Sequence, residues 1–166
     1  MISAAYARLM ARYNEWQNRS LYAAADTLDE TARRLDRGAF FRSIEETLGH
    51  ILWGDRVWMS RFAGTPSPEP GKKRSLSPIE DWEELKAARI DFDKVILRWT
   101  SSLADEWFDG DLAWFSGAAQ RELRRPRWIL VAHFFNHQTH HRGQVHAMLT
   151  AAGAKPEDTD LMLLEA

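Results

Sequence analysis

Glycine and proline are unevenly spread along this chain: neither occurs before Gly38, nor between Ile79 and Asp109. These two residues are the strongest breakers of regular backbone. The uninterrupted stretches carry apolar residues at helical rather than alternating spacing, which points to long helices. The first predicted helix runs from about Ser3 to Leu28, with Tyr6, Leu9, Met10, Tyr13 and Trp16 as its stripe. The second starts at Ser43, an N-cap with Glu46 three residues on in the pattern of a capping box, and runs to about Ala63. The third spans about Pro78 to Leu103, striped by Leu85, Phe92, Val95, Ile96, Trp99 and Leu103. The fourth opens at Pro126, a residue suited to a first helical turn, and closes near Gly153, suited to the position just past a helix. Its stripe is Leu130, Phe134, His137, His141, Val145 and Met148.

Four of the six prolines fall between Pro66 and Pro78. The connection from Gly64 to Ser77 is therefore Pro-rich, and longer than most loops of compact domains. The stretch from Asp109 to Arg125 holds Gly110 and Gly117 and is read as a short β-hairpin between the third and fourth helices. The expected fold is all-α, a four-helix bundle in one domain over residues 1–166, with no internal repeat.

Composition narrows the function classes. Hydrophobic residues make up 45% and charged ones 28%, enough for a folded core. The net charge of −2 provides no overall field for nucleic acid or an anionic membrane. The basic clusters Arg121–Arg127 and Lys72–Arg74 are read as solvated loops. With no cysteine, disulfides, Cys-based zinc sites and Cys nucleophiles are all excluded. The start lacks the pattern of a signal peptide. The most apolar run, Trp128 to Phe135, is far short of the roughly 18–20 residues of a membrane span. A cytoplasmic location with no membrane partner is expected.

Five of the six histidines lie between His133 and His146. His133, His137 and His141 follow one another at i, i+4 and i+8, each about 40° round from the last on one helical face. Residues four apart have Cβ atoms roughly 5–6 Å apart, so two such imidazoles can meet one ion at about 2.0–2.1 Å. All three cannot, because His133 and His141 are separated by about 12 Å along the axis. A third ligand must come from elsewhere, and the one outlying histidine is His50, in the middle of the second predicted helix. Gly49 and Gly54 flank it. Glycine inside a helix costs roughly 1 kcal/mol relative to Ala, which is easier to accept if something bulky packs there. Three neutral imidazoles leave coordination positions open, as in catalytic sites. Spacing alone leaves His133–His137 and His137–His141 equally open as the pair on the fourth helix.

The run HFFNHQTHHRGQVHAMLTAAG resembles the signature of the DinB family of metal-dependent four-helix bundles. ARYNEWQN, GAFFRSIEETLGHILWGDRVWMSRF and the closing PEDTDLMLL agree with it in order, so the resemblance covers nearly the whole chain. It implies His50, His137 and His141 as the metal ligands, holding a divalent ion: zinc or nickel first, iron or manganese next. It further implies a homodimer and a transferase or isomerase chemistry in which the metal activates a low-molecular-weight thiol toward a small-molecule substrate. Two other readings stand beside it. One is a metal-binding stress-response bundle without catalysis. The other is a metal-dependent hydrolase, for which Asp55 and Glu46 are the weak candidate carboxylates.

The remaining polar residues divide by position. Gln144, about 20° from His137 on the helical wheel, either touches a ligating ring or is the polar end of a buried stripe. His140 lies near the pair or on the surface, and His146, on the far side of the helix, is read as solvated. Asn136 is assigned a structural role, Arg142 an ion pair and Gly143 a close helix approach. Asn14 and Asn18 are read as a solvated face of the first helix rather than as part of a pocket.

Overall fold

The computed structural model of the chain describes residues 2–68, 77–117 and 119–164. Its α-helices are α1 (Ala4–Asp26), α2 (Glu30–Arg34), α3 (Ile44–Ala63), α4 (Trp82–Ser102) and α5 (Arg127–Ala151). Short 3-10 turns cover Asp105–Asp109 and Leu161–Leu163. The strands β1 (Asp111–Ser116) and β2 (Arg121–Pro126) form the antiparallel hairpin between α4 and α5. Residues 72–74, and most of the Pro-rich connection, lie outside the described residues.

The helix ends follow local chemistry. Ser3, Ser43 and Asp81 accept the amides of Tyr6, Glu46 and Glu84, which satisfies donors that the first turns of α1, α3 and α4 leave open. Gly64 and Gly153 adopt positive φ at the ends of α3 and α5, the left-handed closure that glycine makes at no steric cost. Three boundaries differ from expectation. The third long helix begins at Trp82 rather than Pro78, because Asp81 is the capping residue. Pro126 ends β2 and precedes α5 instead of opening it. The basic cluster at Arg121–Arg125 is strand, not loop. The short α2, capped by Asp29, was not anticipated.

The four long helices pack as a ring in which α1 and α3 each touch both α4 and α5. Two apolar clusters fill it. One gathers Leu21, Ile44, Leu48, Leu52, Leu85 and Leu149; the other gathers Ala7, Met59, Phe62, Ile96, Trp99 and Phe134. Between them, at mid-height, every long helix contributes buried polar side chains: Asn14 and Asn18, Asp55, Arg89 and Asp93, and Gln138 and Arg142. Arg89 lies 2.7 Å from Asp55 and 2.8 Å from Asp93. Asn14 and Asn18 donate to Asp93, and Arg142 donates to Asn14.

This belt corrects the reading of the first helix. Its buried face is Ala4, Ala7, Ala11, Asn14, Asn18, Leu21 and Ala25, while Leu9 is 39% exposed. Alanine lets α1 approach α4 and α5 closely, and the two asparagines are buried rather than solvated because Asp93 needs donors. Arg142 is likewise bonded to Asn14 and Thr139 and sits over the Tyr13 ring, and among the described residues it makes no ion pair. Gly143 is exposed, and a Cβ there would meet open space, so no close approach depends on it.

Candidate metal centre

Ser43 fixes the start of α3, and two turns later His50 is delivered to the interior, only 6% exposed. On α5, His137 is half-buried and His141 is 8% exposed, one turn apart on the face turned to α3. The three rings converge: one nitrogen from each of His50, His137 and His141 lies within 4.8 Å of the other two. His50 Nε2 and His137 Nε2 are 3.1 Å apart. Ring centroids are 5.0 Å for His50–His137, 4.6 Å for His50–His141 and 4.5 Å for His137–His141.

These distances suit a shared cation. Two nitrogens 3.1 Å apart, each about 2.0–2.1 Å from one ion, subtend roughly 100° at it. That angle lies between the octahedral and tetrahedral values. The two rings on α5 are also held toward the neutral form. Burial, then the neighbouring His141 and His50, depress His137 to a pKa of about 3. Burial holds His141 below its usual value against a partial lift from Gln144. Neutral imidazoles present lone pairs rather than protons at neutral pH.

The surrounding residues orient the cluster. Gln144 Oε1 accepts from His141 Nδ1 at 2.8 Å, which leaves His141 Nε2 as the nitrogen carrying the lone pair. The Gln144 amide is itself oriented by His140 Nε2 at 3.3 Å. Gln144 therefore touches a ring of the trio and is not merely the polar end of a stripe. Gly54 sits against His137: a Cβ at that position would lie 3.1 Å from His137 Cε1. The glycine thus makes room for an imidazole, whereas Gly49 meets only Ser77 at ordinary contact distance.

Phe41 has no mark in the spacing of the sequence. Its ring stacks on His50 at 3.8 Å and stands edge-on to His141 at 5.4 Å. A tight turn with Gly38 at φ 74° and Arg42 at φ 64° brings it there. The only available signal was its place just before the Ser43 cap. His133 is exposed and lies 5.8 Å from His137 and 5.3 Å from Trp58, outside the trio. His146 is half-buried on the α1 side of α5, and Asn136 is exposed. Asp55 is held by Arg89 and Gln138 in the buried belt, and Glu46 lies in the first turn of α3, one turn before His50.

Together these features define a class: a four-helix bundle with a histidine trio set between two of its helices. The chain belongs to the DinB family, which it matches over residues 1–166. It is 24% identical over 156 residues to protein DinB of Bacillus subtilis (strain 168), covering 93% of this chain and 91% of that one. Its fold resembles the crystal structure of a DinB-like protein from Bacillus cereus ATCC 10987, with a TM-score of 0.61 at 16% identity. That match covers 86% of this chain and 90% of the other. Among the described residues, no helix is long and apolar enough to cross a membrane.

Proposed function

We propose that the chain binds one divalent metal ion through His50, His137 and His141 and uses it in thiol-dependent transfer to a small molecule. The observation that carries this reading is the convergence of three nitrogens from two helices within 4.8 Å. Three imidazoles suit zinc or nickel first, with iron or manganese as weaker fits. When bound, the ion supplies Lewis acidity that favours ionisation of a thiol, whose free pKa near 8.5 otherwise keeps it protonated.

The protein's own residues perform the rest. His50, His137 and His141 would hold the ion through one nitrogen each, and three such ligands leave room for a guest. Gln144 fixes the tautomer and orientation of His141, and Phe41 covers the His50 ring on one side. Asp55 is committed to Arg89 and Gln138, so it is not placed as the acid or base that a hydrolase would need. Family resemblance adds the expectations of a homodimer and a cytoplasmic location.

The test is substitution with cobalt, whose visible absorption reports its ligands, followed by titration with simple thiols and assay against electrophiles. A sulfur-to-cobalt band with thiol-dependent turnover is the expected result. A loaded site whose spectrum ignores every thiol overturns the transferase reading. It would favour a bundle in which the ion only ties α3 to α5.

A further inference from the structure

The seam between α3 and α5 continues beyond the histidine trio. On α3, His50, Gly54 and Trp58 follow at four-residue spacing, with Arg61 one turn further; on α5, the matching series is His141, His137 and His133. Trp58 lies 5.3 Å from His133, which lies 5.8 Å from His137, so the rings form an unbroken row leading away from the trio. At its far end Arg61 is half-buried, 4.6 Å from the Trp58 ring and 5.6 Å from that of Trp114 on β1.

Arg61, like Arg56 over Phe92, is a half-buried arginine of α3 that rests on aromatic rings, and it is the one that stands at the end of the histidine seam. Arg89 sits between two carboxylates, and Lys86 is paired with Asp26. No carboxylate and no hydrogen-bond acceptor among the described residues takes a donor from Arg61. A guanidinium has five donors in a fixed fork matched to a carboxylate, and partial burial raises the benefit of meeting one. The two tryptophan faces hold the group in place through cation–π contact. Arg61 follows His50 by eleven positions, about 16 Å along the helix axis, and, since helical side chains lean toward the N-terminus, it leans back toward the trio.

We propose that Arg61 is the specificity-determining anchor for an anionic end of the substrate. The ligand would be a thiol carrying a carboxylate: its sulfur at the trio, its apolar stem along Trp58, and its carboxylate in the Arg61 fork. This rests on the thiol reading above and goes beyond it by assigning the charge at the far end of the thiol.

The test compares 6-mercaptohexanoate with 6-mercaptohexan-1-ol, equal in length and different in charge, by titration of the cobalt-loaded protein. The acid is expected to bind about tenfold more tightly than the alcohol, in line with one charged hydrogen-bonded pair. In Arg61→Gln that ratio falls to near one, and in Arg61→Lys it is intermediate. Loss of cation–π packing alone would lower thermal stability without changing the ratio. If Arg61→Gln folds poorly, the wild-type protein decides. Raising ionic strength from about 0.01 M to about 1 M shortens the screening length from about 30 Å to about 3 Å. This should erode the preference for the acid and spare the alcohol. A preference that persists in Arg61→Gln, or no preference in the wild type, overturns the anchor while leaving thiol binding intact. If neither thiol perturbs the cobalt spectrum, the thiol reading fails and the anchor falls with it.

Discussion

Gln138, the residue after His137 on α5, donates its side-chain amide to Asp55 of α3 at 2.9 Å. The histidine cluster and the buried polar belt are therefore neighbours at one level of the bundle, and the same two helices are tied by both. Asp55 also holds Arg89, so the bond sits at the end of an alternating chain of charges through the core.

Removing Asp55 should show how much the belt contributes. Asp55→Ala leaves the fully buried Arg89 with one carboxylate instead of two. Breaking a buried pair costs about 3–5 kcal/mol, so urea unfolding of the metal-free variant should show a loss of that order. Gln138→Leu should cost less, about 1–3 kcal/mol, since it removes one donor from Asp55 and leaves the ion pair. Equal, negligible losses would mean that the belt is not a structural element.

Gln144→Ala should separate metal affinity from folding. The side chain is half-buried at the edge of α5, and its hydrogen bonds are to His141 and His140. Residues that orient ligating imidazoles typically contribute 10–100-fold to affinity. Competition with a chromophoric chelator should show a drop of about that size, while thermal unfolding of the metal-free protein barely changes.

Gly54→Ala pits two effects against each other. Alanine improves helix propensity by about 0.8–1.0 kcal/mol, but its Cβ would sit 3.1 Å from His137 Cε1 and push the ring aside. The metal-free variant should stay within about 1 kcal/mol of the parent, with clearly weaker metal binding. Unchanged affinity would show that the ring has slack.

The metal-free protein should lose stability on acidification. His137 titrates near 3 in the folded chain and near 6.5 when unfolded. Between those values the unfolded chain binds the extra proton, so the stabilising effect is complete above about 6.5 and falls away as the pH drops toward 3. Urea midpoints measured with a chelator present should decline from pH 7 to pH 4, and His137→Ala should flatten the slope. An equally steep slope in the variant would assign the effect to other groups.

Much of this arrangement could be read from local chemistry. Ser43 and Gly153 mark their helix ends because capping depends on adjacent residues alone. Spacing points to His50, the single histidine outside α5, and to two ligands from one helix, but it leaves His133–His137 and His137–His141 equally open, and only the family resemblance selects His137 and His141. The buried belt was not legible. Periodicity weighs apolar residues, so it favoured Tyr6, Leu9 and Met10 on α1 over the small and polar residues Ala7, Ala11, Asn14 and Asn18 that the fold buries. The same weighting passes over the buried Arg89 and Asp93 on α4. Phe41 reaches the site through a turn whose strained Arg42 backbone has no signature in spacing.

The most direct test is the metal content of purified protein without a histidine tag, measured by elemental analysis for the parent and for His50→Ala, His137→Ala and His141→Ala. The account predicts about one divalent ion per chain in the parent and nearly none in each variant, with the helical circular dichroism signal retained. A parent that takes up no ion under any loading condition would contradict it, as would variants that hold as much metal as the parent.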